Sequence, residues 1–139
     1  MDIKYFEEIP GVETYHSLRK AVNWEVFCPE QSEYALKNSY YCVLARDNDN
    51  TVAMGRVVGD GMYFTIVDVM IRPEYQGKRI GASIVGKLEE LIKKDIPKGG
   101  RTCIQLIAAK GKEGFYLKQG FTALPDENAG PALRKVIYT

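Results

Sequence analysis

The chain is poor in the residues that build metal sites and disulfide frameworks. Its 139 residues include one histidine and three cysteines. Cys28, Cys42 and Cys103 lack the close spacing of metal-ligand pairs, and their odd number does not favour a set of disulfides. We therefore expect no metal, no disulfide and a reducing, cytoplasmic location. For His16, the only histidine, a solvated position on a helix is expected rather than a catalytic one.

Long apolar runs and an excess of charge are also missing. No apolar run approaches the roughly 20 residues that cross a bilayer, and acidic residues interrupt the N-terminal segment, unlike a signal peptide. Lysine and arginine number 19 against 18 aspartates and glutamates, so the net charge is only +1. Neither a membrane nor a nucleic acid is expected as a partner. A local basic cluster could still hold a compact anion.

What remains is the composition of one ordinary globular domain. Hydrophobic residues make up 45% and charged residues 27% of the chain, enough to form a packed core at this length. No repeat, linker or low-complexity segment divides the sequence, so a single domain over residues 1–139 is predicted. The patterns predict a mixed α/β fold, with strands over 2–7, 40–46, 52–58, 63–71, 102–108, 121–124 and 132–138 and helices over about 12–24, 29–38, 80–94 and 112–119.

The turn between the apolar strand 63–71 and the amphipathic helix 80–94 concentrates glycine and basic residues. A helix start has unpaired N–H groups and a positive partial charge, and glycines let a ligand approach the backbone. This combination predicts a pyrophosphate-binding turn; the alternative is a tight helix start whose basic residues serve solubility. The predicted binding residues are Gln76, Gly77, Lys78, Arg79, Ile80, Gly81 and Ala82. Lys78 is followed by Arg79 rather than Ser or Thr, so a P-loop fits less well.

Two segments resemble motifs of the GCN5-related N-acetyltransferase (GNAT) family. The segment IRPEYQGKRIGASIV resembles the family's acetyl-CoA-binding motif, in which Gln76 and Gly81 match and Arg79 departs by occupying a glycine slot. The segment GKEGFYLKQGF resembles a second motif, whose positions are filled by Phe115, Tyr116, Gly120 and Phe121. The motifs stand in the family's order and spacing, and the resemblance spans about residues 15–125.

The resemblance implies a GNAT fold, a central mixed and mostly antiparallel sheet that is splayed between two middle strands and flanked by helices. It also implies acetyl-CoA as cosubstrate and direct attack by an amine. The pantetheine arm would pair with the backbone of Val69, Met70 and Ile71. A backbone N–H of Val69 or Met70 would stabilise the oxyanion.

Two residues are candidates for the chemistry. Tyr116 stands where the family keeps its general acid; because a phenol has a higher pKa than a thiol, a hydrogen bond to the departing sulfur is favoured over full proton transfer. Its alternative role is packing beside Phe115. Asp68 is the only charge within the run Tyr63–Ile71, and it is either a general base whose pKa is raised by burial or a structural carboxylate, or an orienter of water.

The expected function is acetyl-CoA-dependent N-acetylation of a primary amine on a small molecule. The segment GRVVGDGMYFTIVDVMIRPEYQG most resembles the aralkylamine (serotonin-type) acetyltransferases, and the glucosamine-phosphate branch is more distant. Alternatives are a non-catalytic acyl-CoA-binding module and an acetyltransferase of protein lysines or N-termini. Homodimers are common in the family, and the sequence leaves dimerisation open. Candidate acceptor-binding residues lie in the first half of the chain: Trp24, Glu25, Tyr40, Tyr41, Asp60 and Tyr63.

Overall fold

A computed structural model describes all residues from 1 to 139, which form two compact units, Met1–Leu106 and Ile107–Thr139. The first unit contains five strands, three α-helices and a short 3-10 turn, and the second contains one short helix. In chain order the elements are β1 (Ile3–Glu7), α1 (Val12–Ala21), α2 (Pro29–Lys37), β2 (Tyr41–Asp47), β3 (Asn50–Gly59), β4 (Tyr63–Ile71), the 3-10 turn (Pro73–Tyr75), α3 (Ile80–Asp95), β5 (Cys103–Gln105) and α4 (Glu113–Lys118). No helix has both the length and the apolar character needed to cross a membrane.

The sheet opens along one side of β4. Its strands follow chain order from β1 to β5; the first four are antiparallel neighbours, and β5 runs parallel to β4. The β4–β5 pairing starts at Tyr63 with Cys103 and ends at Thr65 with Gln105, whereas β4 continues to Ile71. Beyond Thr65, β4 therefore pairs with β3 alone. This mixed sheet with flanking helices confirms the predicted fold class.

Helix α3 packs closely on one face of the sheet. Its apolar stripe is buried as the sequence pattern predicts, with Ile84 and Leu88 fully inaccessible to solvent. A Cβ added to Gly55 in β3 would lie 2.7 Å from Ile84 Cγ2 and 3.2 Å from Leu88 Cδ1. Glycine at this position therefore lets the helix approach the strand.

A hydrophobic cluster joins α1 and α2 to the strands β2, β3 and β4. Its buried members are Tyr15, Leu18, Leu36, Cys42, Leu44, Met54 and Met70. Burial raises the pKa of the Cys42 thiol to about 12, as expected for a charge that would lie in apolar surroundings.

The predictions for the last third of the chain are partly wrong. The strand predicted over 102–108 is shortened to Cys103–Gln105, and the strands predicted over 121–124 and 132–138 do not form. Apolar residues at the C-terminus are exposed, Leu133 and Tyr138 at 91% and 82%. A strand depends on a neighbour for its hydrogen bonds, so local β propensity alone did not decide these segments. The predicted helix at 112–119 is confirmed as α4.

Helix α1 is also shorter than predicted. It ends at Ala21, so Trp24 lies beyond the helix and packs against the core cluster from the following loop. Asn23, just before it, has a positive φ of 62°, a conformation that does not continue a right-handed helix.

Candidate active site

The turn that follows β4 leaves its backbone accessible. Gln76 folds back, and its side-chain Nε2 donates a hydrogen bond to the carbonyl oxygen of Ile71 at 3.0 Å. Gly77 has a φ of +77°, and a Cβ added there would meet no atom within 4 Å. Arg79 has a φ of +64° although it carries a Cβ. The departure from glycine at this position therefore retains the left-handed conformation that glycine adopts most easily.

The first backbone amides of α3 have no partner within the helix. Arg79 is the N-cap, without a side-chain capping bond, and the Ser83 N–H donates to its carbonyl oxygen at 3.1 Å. The N–H groups of Ile80, Gly81 and Ala82 precede that bond and have no partner within the helix. The exposed side chains of Lys78 and Arg79 add two positive charges beside them. Unpaired amides and positive charges of this kind favour an anion, and anion binding at this turn stays a prediction.

Strand β4 contains a β-bulge directly upstream of this turn. Met70 pairs with Met54, and Val67 pairs with Arg56, so Gly55 alone faces the two residues between them on β4. Those residues are Asp68 and Val69. Asp68 has a φ of +54°, the left-handed conformation found in bulges whose first residue is usually glycine.

The amides of β4 near the bulge divide between the two edges of the strand. The Arg72 N–H donates to the Val52 carbonyl of β3 at 2.9 Å. Because amides alternate along a strand, the Met70 N–H also points to β3. The N–H groups of Val69 and Ile71 then point to the edge that β5 leaves open. Of the two predicted oxyanion donors, Val69 is therefore better placed than Met70.

The Asp68 carboxylate is bound on both oxygens. Arg19 Nη1 donates to Oδ1 at 2.8 Å, and Arg56 Nε donates to Oδ2 at 2.7 Å. The Tyr15 hydroxyl also donates to Oδ2, at 2.7 Å. The Asp68 side chain is only 8% exposed. With three protein donors on one carboxylate, these contacts favour the structural role of Asp68 over the role of a general base.

The sequence analysis did not single out the partners of Asp68 as site residues. One signal was present for Arg56, which is the only charge between Val52 and Val58, as Asp68 is in its own strand. Two lone charges in neighbouring apolar strands suggest a pair, because a charge is buried only when it is matched. Tyr15 and Arg19 lie some fifty residues away on α1, and no spacing pointed to them.

Tyr116 lies on α4 in the second unit. Its ring contacts Phe115 and Phe121 in edge-to-face geometry, with centroids 4.9 Å and 5.8 Å apart. Burial raises the pKa of the Tyr116 hydroxyl above its usual value of 10.0. The hydroxyl is therefore protonated at neutral pH and able to donate a hydrogen bond.

The predicted acceptor-binding residues occupy different parts of the first unit. The Arg19 guanidinium lies over the Trp24 ring at 5.5 Å, and its Nε donates to the exposed Glu25 at the backbone carbonyl. Tyr63, at the start of β4, is 58% exposed. Tyr40 packs its ring edge-on against Phe64.

The remaining two candidates have hydrogen-bond partners within the first unit. The Asp60 carboxylate accepts hydrogen bonds from the N–H groups of Tyr63 and Met62, and these bonds lower the pKa of its carboxyl. The Tyr41 hydroxyl donates to Asp95, which raises the pKa of Tyr41 to about 12. No group of three or more His, Cys, Asp or Glu side chains is arranged to hold a metal ion.

Comparison with known proteins identifies similar chains. Residues 12–134 match the model of a family described as an acetyltransferase (GNAT) domain. A probable acetyltransferase of unknown function from meticillin-resistant Staphylococcus aureus is 31% identical, with a TM-score of 0.82 over 97% of this chain and 100% of that one. A GNAT family acetyltransferase from Streptococcus pneumoniae is also 31% identical, with a TM-score of 0.71 over 88% of this chain and 87% of that one.

A more distant likeness concerns the fold alone. The glucosamine-6-phosphate N-acetyltransferase from Arabidopsis thaliana is 13% identical, with a TM-score of 0.67 over 99% of both chains. No curated protein sequence matches the chain.

Proposed function

Because this chain belongs to the GNAT acetyltransferase family, we propose that it transfers the acetyl group of acetyl-CoA to a primary amine of a small molecule. The observation that carries the proposal is the edge of β4 that β5 leaves unpaired beyond Thr65, followed in the chain by a helix start whose first amides have no helical partner. An open strand edge and a helix start of this kind suit a ligand with an extended arm and a diphosphate.

The diphosphate of acetyl-CoA is proposed to bind at the turn from Gln76 to Ala82. The free N–H groups at the start of α3 and the helix dipole favour an anion there. The bare backbone at Gly77 allows phosphate oxygens to approach, and Lys78 and Arg79 add charge attraction.

The pantetheine arm is proposed to run along the open edge of β4. The backbone groups of Val69 and Ile71 would pair with its amide groups as a neighbouring strand does. Met70 lies between them, and its own backbone groups pair with β3 and hold that edge in place. The Val69 N–H, at the bulge, is proposed to stabilise the oxyanion that develops on the thioester carbonyl.

Direct attack needs one proton removed and one charge stabilised. An alkylamine with a pKa near 10.4 must lose a proton before its nitrogen attacks the carbonyl carbon. The C–N bond then forms and the C–S bond breaks, and the thiolate of CoA leaves. Because the Asp68 carboxylate is already bound by three donors, we propose that water accepts the amine proton. Tyr116 is proposed to donate a hydrogen bond to the thiolate.

A thiol-release assay with acetyl-CoA and a panel of amines tests the function. The panel contains arylalkylamines, because of the sequence resemblance, together with polyamines, amino sugars, and peptides with free lysines or N-termini. Turnover on a small amine supports the proposal. CoA binding by calorimetry without turnover on any acceptor would favour a non-catalytic binding module, and turnover on peptides alone would favour a protein acetyltransferase.

Replacement of Tyr116 by phenylalanine tests the leaving-group role. We expect Tyr116→Phe to lower kcat about 100-fold, as loss of one hydrogen bond to developing charge does, with the KM for acetyl-CoA nearly unchanged. Tyr34→Phe is the control, since Tyr34 is 73% exposed on α2. Equal kcat values for Tyr116→Phe and the unmodified protein would remove Tyr116 from the mechanism.

A further inference from the structure

The Asp68 cluster, defined as Asp68 with Tyr15, Arg19 and Arg56, is more elaborate than a bulge requires. A glycine at position 68 would take the left-handed conformation without any partner. The chain instead buries a carboxylate and two guanidiniums, whose side chains are 8%, 12% and 12% exposed. Buried ion pairs contribute little net stability compared with apolar packing, and their best-attested use is to fix register.

The cluster fixes the bulge against two other elements. Arg19 and Tyr15 reach Asp68 from α1, and Arg56 reaches it from β3, beside the Gly55 that the bulge faces. Because both carboxylate oxygens are bound, the side chain of Asp68 has one orientation. The arginines are held in turn: Arg56 Nη1 donates to the Ser39 hydroxyl at 3.3 Å, and Arg19 lies over the Trp24 ring.

The opposite face of the bulge is held by α3. A Cβ at Gly55 would touch Ile84 at 2.7 Å and Val69 Cγ2 at 3.5 Å, so these three residues meet where the bulge occurs. The bulge therefore lies between the Asp68 cluster on one face and α3 on the other. The same helix begins with the amides proposed to bind the diphosphate.

We infer that Arg19 and Arg56 are positioning residues for acetyl transfer, which act through Asp68 to hold the β4 bulge and so direct the Val69 N–H to the open edge. The inference rests on the proposed function. It assigns the cluster to the geometry of the oxyanion donor and not to proton transfer.

Three substitutions of Asp68 separate positioning from base catalysis. Asp68→Asn keeps a residue that tolerates positive φ and accepts hydrogen bonds, Asp68→Gly keeps only the backbone freedom, and Asp68→Ala keeps neither. We expect kcat to fall by about 3-fold, 10-fold and 100-fold in that order, the last being the loss of one oxyanion donor. The KM for acetyl-CoA should change less than about twofold in all three, since the diphosphate turn is unchanged.

A base role gives a different result and would overturn the inference. None of the three variants has a carboxylate, so all would lose the same large factor in kcat and the pH profile would lose a limb. Unchanged kcat in all three would overturn it as well. Asn48→Ala is the matched control, because Asn48 has a φ of 55° in an exposed turn. It imposes the same backbone strain as Asp68→Ala, and its kcat should stay at the unmodified value.

Amide NMR gives a readout that does not depend on turnover. In Arg56→Met, which removes one partner of Asp68 and leaves residues 68 and 69 unchanged, the Val69 N–H signal should shift and exchange faster with solvent, while the rise in melting temperature on adding CoA is retained. An unmoved Val69 signal would overturn the inference even in an active enzyme. Movement of that signal in a protein that acetylates no amine would support the positioning and reject the proposed function.

Discussion

Two residues with side chains adopt the left-handed backbone conformation near the open edge of β4, and they are supported in opposite ways. Asp68 is buried, and its carboxylate accepts hydrogen bonds from three side chains. Arg79 is exposed, and it caps α3 without a side-chain hydrogen bond. The φ angles are nearly equal, +54° and +64°.

At one position, bonds in the fold offset the cost of the left-handed conformation, and at the other the cost is not offset. The left-handed conformation is unfavourable by about 1 kcal/mol for a residue with a Cβ. At Asp68 the surrounding bonds offset that term and fix one geometry. At Arg79 no side-chain hydrogen bond offsets it, and the proposed diphosphate site would make use of its charge beside the first amides of α3.

The largest expected effect comes from removing a partner of Asp68. Arg56→Met leaves a buried carboxylate short of one cation, and we expect the free energy of unfolding to fall by about 3 kcal/mol. Urea unfolding at neutral pH measures it. The control is Arg46→Met, whose partner Glu8 is 48% exposed, and it should change stability by less than about 1 kcal/mol. Equal losses in the two variants would mean that the buried ion pair of Asp68 contributes no more to stability than the exposed pair of Glu8.

The second prediction concerns the helix that adjoins both residues. Gly55→Ala places a methyl group 2.7 Å from Ile84 Cγ2, and we expect overpacking to lower the unfolding free energy by about 2 kcal/mol. Gly86→Ala, in the middle of α3 with nothing within 4 Å of the added Cβ, should instead raise it by about 1 kcal/mol. Chemical denaturation of both variants measures the contrast, and a stabilising Gly55→Ala would contradict the close approach of α3.

A buried thiol, that of Cys42, lies on β2 beside Arg56 of β3. Cys42 pairs with Arg56 in register, and burial raises its pKa from 9.0 to about 12. A raised pKa stabilises the fold fully below about pH 9, and that contribution is lost as pH rises towards 12. Between pH 8 and pH 9.5 we expect a loss of about 1 kcal/mol that Cys42→Ala does not show. Cys28→Ala, at an exposed thiol, should keep the loss.

The smallest expected change in stability comes from replacing Arg79, and it tests directly whether Arg79, unlike Asp68, lacks a stabilising partner. Arg79→Gly removes the strain but adds backbone entropy to the unfolded chain, so we expect a net gain of about 0.5 kcal/mol. Lys78→Gly removes the same charge at a residue without a positive φ, and it should lose about 0.5 kcal/mol. Both should weaken CoA binding by a few-fold in calorimetry. A stability loss in Arg79→Gly would show that the arginine has a structural partner after all.

The sequence by itself determined the elements whose signals are local. Strand β4 was predicted at its observed bounds, and α3 within one residue, because the apolar run, the proline and the amphipathic stripe lie in neighbouring positions. The turn between them was recognised for the same reason. Its sequence also led to the family to which the chain belongs.

Only the tertiary structure decided the features that depend on distant residues. Strand β5 ends at Gln105 although the edge of β4 continues to Ile71, and the segments predicted as strands over 121–124 and 132–138 pair with no other strand. The part played by Asp68 depends on Tyr15, Arg19 and Arg56, which folding brings together from α1 and β3. Local sequence sets which conformations are favourable, whereas burial and pairing, set by chain segments far apart, select among them.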